Sequence, residues 1–217
     1  MKTLERLLLA HLRPLVSPCM DPLHFAYQPG IGVEDAIIHL YTTLLHSSLS
    51  HLENTGSTVR IMFFDFSSAF NTIQPMILKD KLEYTGLDHY LITWILDYLT
   101  KRPQYVRTQG CQSDKVVCST GAPQGTVLAP FLFTLYTANF RYSSASCHLQ
   151  KFLDDSAIVD LIKDGDDGEY RELTQNFMEW YQRNCLQINT GKTKELVVDF
   201  CRSKHSFCAS EHSGNGH

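Results

Sequence analysis

Three carboxylates are the groups whose type and neighbourhood best suit them to chemistry. Asp65 lies near the end of the apolar run Val59-Arg60-Ile61-Met62-Phe63-Phe64-Asp65-Phe66, and Asp154-Asp155 separate two further apolar stretches, His148 to Leu153 and Ala157 to Ile162. An ionised carboxylate in such surroundings is costly unless it is paired or holds a cation, and no Lys or Arg adjoins these acids in the chain. Oxygen ligands without a His or Cys beside them favour Mg2+ or Mn2+ over zinc. Two such ions, about 3.5–4 Å apart, activate an attacking hydroxyl and stabilise a leaving oxygen, which is phosphoryl-transfer chemistry. The plainer readings are that Asp-Asp-Ser makes a turn and that Asp65, just before Ser67-Ser68, caps one.

Positioning these acids requires a sheet. The run from Val59 to Phe66 is rich in β-branched and aromatic residues, as in a central strand buried on both faces. The two apolar stretches around Asp154-Asp155-Ser156 predict a tight hairpin with the carboxylates at its tip, and 195–200 reads as a last strand. Helices are expected from Leu4 to a stop near Pro14, with Leu4, Leu7, Leu8, Leu12 and Leu15 on the covered face, and from Val33 to Leu52. Others are expected from Pro75 at a first turn to Tyr84, from a cap at Asp88 to Leu99, over 131–140, and over 173–185. A polar hairpin is predicted around residues 109–113, and Gly121-Ala122-Pro123-Gln124-Gly125 predicts a rigid loop. The order from residue 58 is that of a split β-α-β unit, giving an α+β fold with an antiparallel sheet and helices on one face.

The composition bounds the class. A chain of 217 residues with 43% hydrophobic content can bury a core. It has no apolar stretch long enough to span a membrane and no signal-peptide pattern, so an intracellular setting, cytoplasm or nucleus, is expected. Seven cysteines without CxxC spacing argue against a disulfide framework or structural zinc. The net charge of −4 shows no overall basic footprint for nucleic acid. Residues 201–217 lose apolar periodicity and are expected to be a disordered tail.

Four ordered segments carry a resemblance: Phe63-Phe64-Asp65-Phe66-Ser67-Ser68-Ala69-Phe70-Asn71, then Gly121 to Gly125, then Phe152-Leu153-Asp154-Asp155, then Leu186-Gln187-Ile188-Asn189 with Lys192-Thr193. In order and spacing the chain resembles the palm of reverse transcriptases, most closely those of non-LTR (LINE-type) retrotransposons. The resemblance also takes in Phe25-Ala26-Tyr27-Gln28-Pro29-Gly30 and Arg102-Pro103-Gln104. It implies partial fingers over 1–57 and a palm over 58–200, and an RNA-directed DNA polymerase that adds dNTPs to a DNA primer on an RNA template.

In that family Asp65 and Asp154 would bridge two Mg2+ ions, with Mn2+ able to substitute. Asp155 would support the site, and the Phe66 carbonyl would complete one ion's shell. Phe70 would pack beneath the incoming sugar, Gln124 and Gly125 would lie against the nascent base pair, and Lys192 would protonate the leaving pyrophosphate. The bland alternatives are a core Phe, a simple turn and a solvent-facing lysine. Two departures stand out: Leu153 replaces a slender residue before the Asp pair, and Ala129 stands at the expected N-cap of the helix that follows the Pro-Gln-Gly loop. The family's upstream fingers, its thumb and the LINE endonuclease are expected to lie outside this sequence. A catalytically inactive remnant of the same fold, with weak nucleic-acid binding at most, is the competing expectation, and a metal-dependent nuclease a more distant one.

Overall fold

The computed structural model describes residues 2–28, 30–53 and 57–199; the expected tail falls outside them. Helices α1 (Lys2–Val16) and α2 (Val33–Glu53) precede strand β1 (Thr58–Phe64), which is followed by α3 (Ala69–Thr72), α4 (Pro75–Tyr84) and α5 (His89–Leu99). Four short strands, β2 (Arg102–Gln104), β3 (Arg107–Thr108), β4 (Cys111–Gln112) and β5 (Val116–Cys118), lead to α6 (Leu128–Thr137). The last described elements are the hairpin β6 (Cys147–Phe152) and β7 (Asp155–Ile162), helix α7 (Gly168–Arg183) and strand β8 (Lys194–Asp199).

The main sheet has the order β6-β7-β1-β8 and is antiparallel throughout. Its two central strands are the most apolar ones because both of their faces are covered. Phe64, Ile158, Ile162, Cys147 and Leu149 join the main core with residues of α4 to α7, and Phe64 meets Phe177 of α7 edge-on at 4.9 Å. Val59, Ile61, Val159 and Leu161 form a second cluster on the opposite face, where Leu40 of α2 packs. The palm-like helices thus lie behind one face, and α2 of the N-terminal region lies over the other.

Several expectations need correction. The hairpin pairs Phe152 with Asp155, so its two-residue tip is Leu153-Asp154, while Asp155 and Ser156 already belong to β7. Helix α1 runs through Pro14 to Val16, because a proline in the last turn forfeits a single hydrogen bond. Its covered face is also turned: Glu5, Leu12 and Val16 are buried, whereas Leu4, Leu7 and Leu15 are exposed. The cause is at α6, which starts at Leu128 after Val127. There the Val127 N–H donates to Glu5 Oε2 at 2.6 Å and the Ala129 N–H to Thr126 Oγ1 at 3.3 Å. Ala129 is therefore a buried first-turn residue and not the cap, so a serine there would bury a hydroxyl. Elsewhere the start signals hold: Pro75 opens α4, and Asp88 Oδ1 accepts from the Tyr90 N–H at 2.8 Å.

Candidate active site

Asp65 follows the last residue of β1, one step beyond the pairing of Phe64 with Ser156. That register brings Asp65 and Asp155 to the same end of neighbouring strands and, by strand alternation, onto the α2 side. Both line one cavity of about 440 Å³, together with Val33, Ala36, Phe63, Phe152 and Lys192. Asp154 sits on the adjoining tip. The three acids therefore share one neighbourhood. The Asp155 carboxyl is pushed above its ordinary range, first by desolvation and then by the charges of Asp154 and Asp65, with Lys192 opposing. Asp155 is exposed as a whole residue, so the desolvation acts at its carboxyl, on the cavity side.

The segment after α7 supplies the fourth member. Residues 65–67 and 187–189 pair as a short antiparallel bridge: the Ser67 N–H donates to Gln187 O at 2.9 Å and the Asn189 N–H to Asp65 O at 2.8 Å. The turn from Asn189 to Thr193 then carries Lys192 Nζ to 3.7 Å from Asp65 Oδ2. Lys192 is 71% exposed, whereas Asp65 Oδ2 is shielded and has no hydrogen-bond partner. Neither Asp65 nor Ser68 caps α3, so the capping role of Asp65 is not seen. Phe66 stacks on Tyr181 at 3.9 Å, and its carbonyl, in the wide pair opposite Ile188, is left out of the bridge.

The remaining expected residues lie nearby but outside the cavity lining. The Phe70 ring packs 5.3 Å from that of Phe133, at the edge of the core. Gln124 is exposed, with Nε2 3.4 Å from Asn71 Oδ1. Gly125 has φ +76° and open space around it, so the backbone conformation and not a close approach requires glycine there. The close approach belongs to Gly121, where a Cβ would meet the Asn71 backbone at 2.8 Å. With Gly121 N–H on Ile73 O and Ala122 N–H on Phe70 O, this glycine fastens the Gln124 loop to the turn after Asp65. Sequence reasoning missed that role, although the paired glycines of the loop were the available signal.

It also missed Lys151, which is 1% exposed and lies 2.7 Å from Asp21 Oδ2. Lys151 Nζ donates to the carbonyl of Thr137, the last residue of α6, and to that of Phe140 just past it. His24 pairs with Lys151 as a parallel bridge, so residues 21–25 run beside β6. The signal was the strand phase, since Lys151 alternates with Cys147 and Leu149 on the core side.

A sheet with acids at one end and helices behind it is the architecture of a polymerase palm. The chain belongs to the reverse transcriptase family: residues 1–208 match the family model "Reverse transcriptase (RNA-dependent DNA polymerase)". It is 26% identical, over 208 residues, to the RNA-directed DNA polymerase from mobile element jockey of Drosophila funebris, covering 90% of this chain and 22% of that protein. It is 28% identical over 148 residues, 65% of this chain and 16% of the relative, to the probable RNA-directed DNA polymerase from transposon X-element of Drosophila melanogaster. The chain thus spans about a fifth of the length of these relatives. Among solved structures, telomerase from Candida tropicalis in complex with a fragment of telomeric RNA superposes with a TM-score of 0.64 at 12% identity, over 90% of this chain and 33% of that one. The apo form of the same telomerase gives 0.64 at 13% identity, over 90% and 37%. At such identity these show the shared fold.

Among the described residues no group of three or more His, Cys, Asp or Glu side chains is closed into a ready metal cage. The donors nevertheless fit a hard divalent cation: Asp65 offers a shielded, unbonded oxygen, and the crowded Asp155 carboxyl stands among like charges. Among the described residues no helix is long and apolar enough to cross a membrane.

Proposed function

We propose that this chain is the palm, over 58–200, with part of the fingers, over 1–57, of an RNA-directed DNA polymerase that adds dNTPs to a primer 3′-hydroxyl on an RNA template. The observation that carries the reading is the convergence of Asp65, Asp155 and Lys192 on one cavity, with Asp154 at its rim. Reverse transcriptases as a family use divalent metal ions, and here Asp65, Asp154, Asp155 and the Phe66 carbonyl would hold two Mg2+ ions, with Mn2+ able to substitute. Such ions supply charge neutralisation on the triphosphate and a more acidic 3′-hydroxyl.

The chain's own groups do the rest. Asp65 and Asp155, at neighbouring strand ends, would fix where such ions sit. Lys192, exposed on its turn and already near the acids, holds a proton at Nζ for the departing pyrophosphate. Gln124 offers an amide beside the base pair, and Gly125 keeps that loop in its left-handed bend. Phe70, anchored on Phe133, gives a stiff floor under the sugar.

The test is Mg2+-dependent primer extension on an RNA template. Asp65→Ala and Asp154→Ala are each expected to abolish extension, and a variant that retains it removes the assignment. The inactive-remnant reading draws on one observation, that Lys192 and not a cage of acids balances Asp65. It predicts no carboxylate-dependent heat on titration with Mn2+.

A further inference from the structure

Residues 101–118 leave the body of the molecule as a twisted ribbon. β2 and β5 pair at its base, with Arg102 opposite Cys118, and β3 and β4 pair at its tip, with Arg107 opposite Gln112. The two registers differ by one residue, so the returning strand bulges between them. There Ser113 holds Val106 twice, Oγ accepting from the Val106 N–H and N–H donating to its carbonyl, both at 2.9 Å. Apart from the half-buried Arg102 and Cys118, the whole segment is exposed. A lone two-stranded ribbon is marginal in water, yet this one holds Tyr105, Val106, Val116 and Val117 at 49, 68, 63 and 64% exposure. Such a surface is made to be covered.

Charge indicates by what. The chain carries net −4, but this segment has Lys101, Arg102, Arg107 and Lys115 against a single acid, Asp114. Arg102 is turned inward, donating to the carbonyls of Leu99, Thr120 and Gly121, and so ties the ribbon's base to the loop that carries Gln124. The other three form no ion pair among the described residues. Gln104, Gln109 and Gln112 add neutral donors, and Tyr105 adds a ring. Unpaired cations beside an exposed aromatic match a polyanion with stackable bases.

We infer that this ribbon grips single-stranded nucleic acid, Lys101, Arg107 and Lys115 contacting phosphates and Tyr105 stacking on a base. The inference rests on the polymerase reading and adds the surface that would hold the strand beside the Gln124 loop. Its experiment is fluorescence anisotropy of the full chain with a labelled single-stranded RNA, without metal or nucleotide, between 50 and 200 mM KCl. Lys101→Ala/Arg107→Ala/Lys115→Ala is expected to bind about tenfold more weakly or worse, with a salt slope shallower by about 2. Lys101→Arg/Arg107→Lys/Lys115→Arg keeps the wild-type affinity and slope, and both variants keep the wild-type melting temperature. Tyr105→Ala weakens binding without changing the slope.

Wild-type affinity and slope in the triple alanine variant overturn the inference, as does the absence of RNA binding by the wild-type chain. A defect confined to self-association in sedimentation velocity overturns it too. Because the assay involves no turnover, its outcome is separable from primer extension: the ribbon stands if Asp65→Ala extends primers but the ribbon variants lose RNA, and it falls alone in the converse case.

Discussion

Leu153 pays for the position of Asp154. A two-residue hairpin needs a positive φ at its first position, and Leu153 adopts φ +57° there, where a side chain costs about 1–2 kcal/mol. Leu153→Asn should raise stability by about 1 kcal/mol, since Asn tolerates the left-handed region. An unchanged or lower melting temperature would count against strain at this turn. Asp160 is a second cost in the same strand. It is buried, its Oδ1 has no partner, and it stands between Arg60 and Cys147 in register. Desolvation, and then Glu169, raise its carboxyl from 3.8 to about 6. A raised folded-state value means that the native protein binds the proton more tightly, so the stability this gives is complete below about pH 4 and is lost as pH rises through about 6. Asp160→Asn should therefore stabilise the protein by on the order of 2–3 kcal/mol at pH 7.5 and by little at pH 4, as read by denaturant unfolding at the two pH values. Equal gains at both would refute the assignment.

Among elements, the junction of α1 and α6 decides how the N-terminal helix sits. The first N–H groups of α6 lack partners within the helix, and a carboxylate from α1 meets one of them at the positive end of the helix. Burying Glu5 in this way turns three leucines of α1 outward. Glu5→Ala should cost about 1–3 kcal/mol by leaving the Val127 N–H unsatisfied. Ala129→Ser should not raise the melting temperature. The reverse pair of results, a neutral Glu5→Ala with a stabilising Ala129→Ser, would restore Ala129 as the cap. Helix α2 shows the same independence from its own pattern: Ala36 and Leu40 face the sheet, while Val33, Ile37, Ile38 and Tyr41 remain more than half exposed.

At the scale of the molecule, one buried ion pair joins the N-terminal region to the sheet. Lys151 and Asp21 are 1% and 3% exposed, and Lys151 also satisfies two carbonyls at and just beyond the end of α6, so three parts of the chain converge on one ammonium. Burial pulls its value down while Asp21 pulls it up. Removing one partner strands the other: Lys151→Met should cost about 3–5 kcal/mol, whereas Lys151→Met/Asp21→Leu should recover much of that. Additive losses in the double variant would show that the two side chains act independently.

The sequence by itself determined the kinds and order of the longer elements, because strand alternation, helix start signals and glycine stops are local properties of the chain; the single-turn α3 after β1 carried no such signal. It also marked Asp65, Asp154 and Asp155, since ionised groups inside apolar runs stand out without knowledge of the fold. The tertiary structure decided which groups meet: Lys192 with Asp65, Lys151 with Asp21, Gly121 with Asn71 and Glu5 with Val127. These contacts span tens to more than a hundred residues, and no local pattern encodes a partner at such a distance. It also decided the hairpin tip and the exposed side of α1, where a one-residue register and a single buried carboxylate outweighed turn preference and helical periodicity.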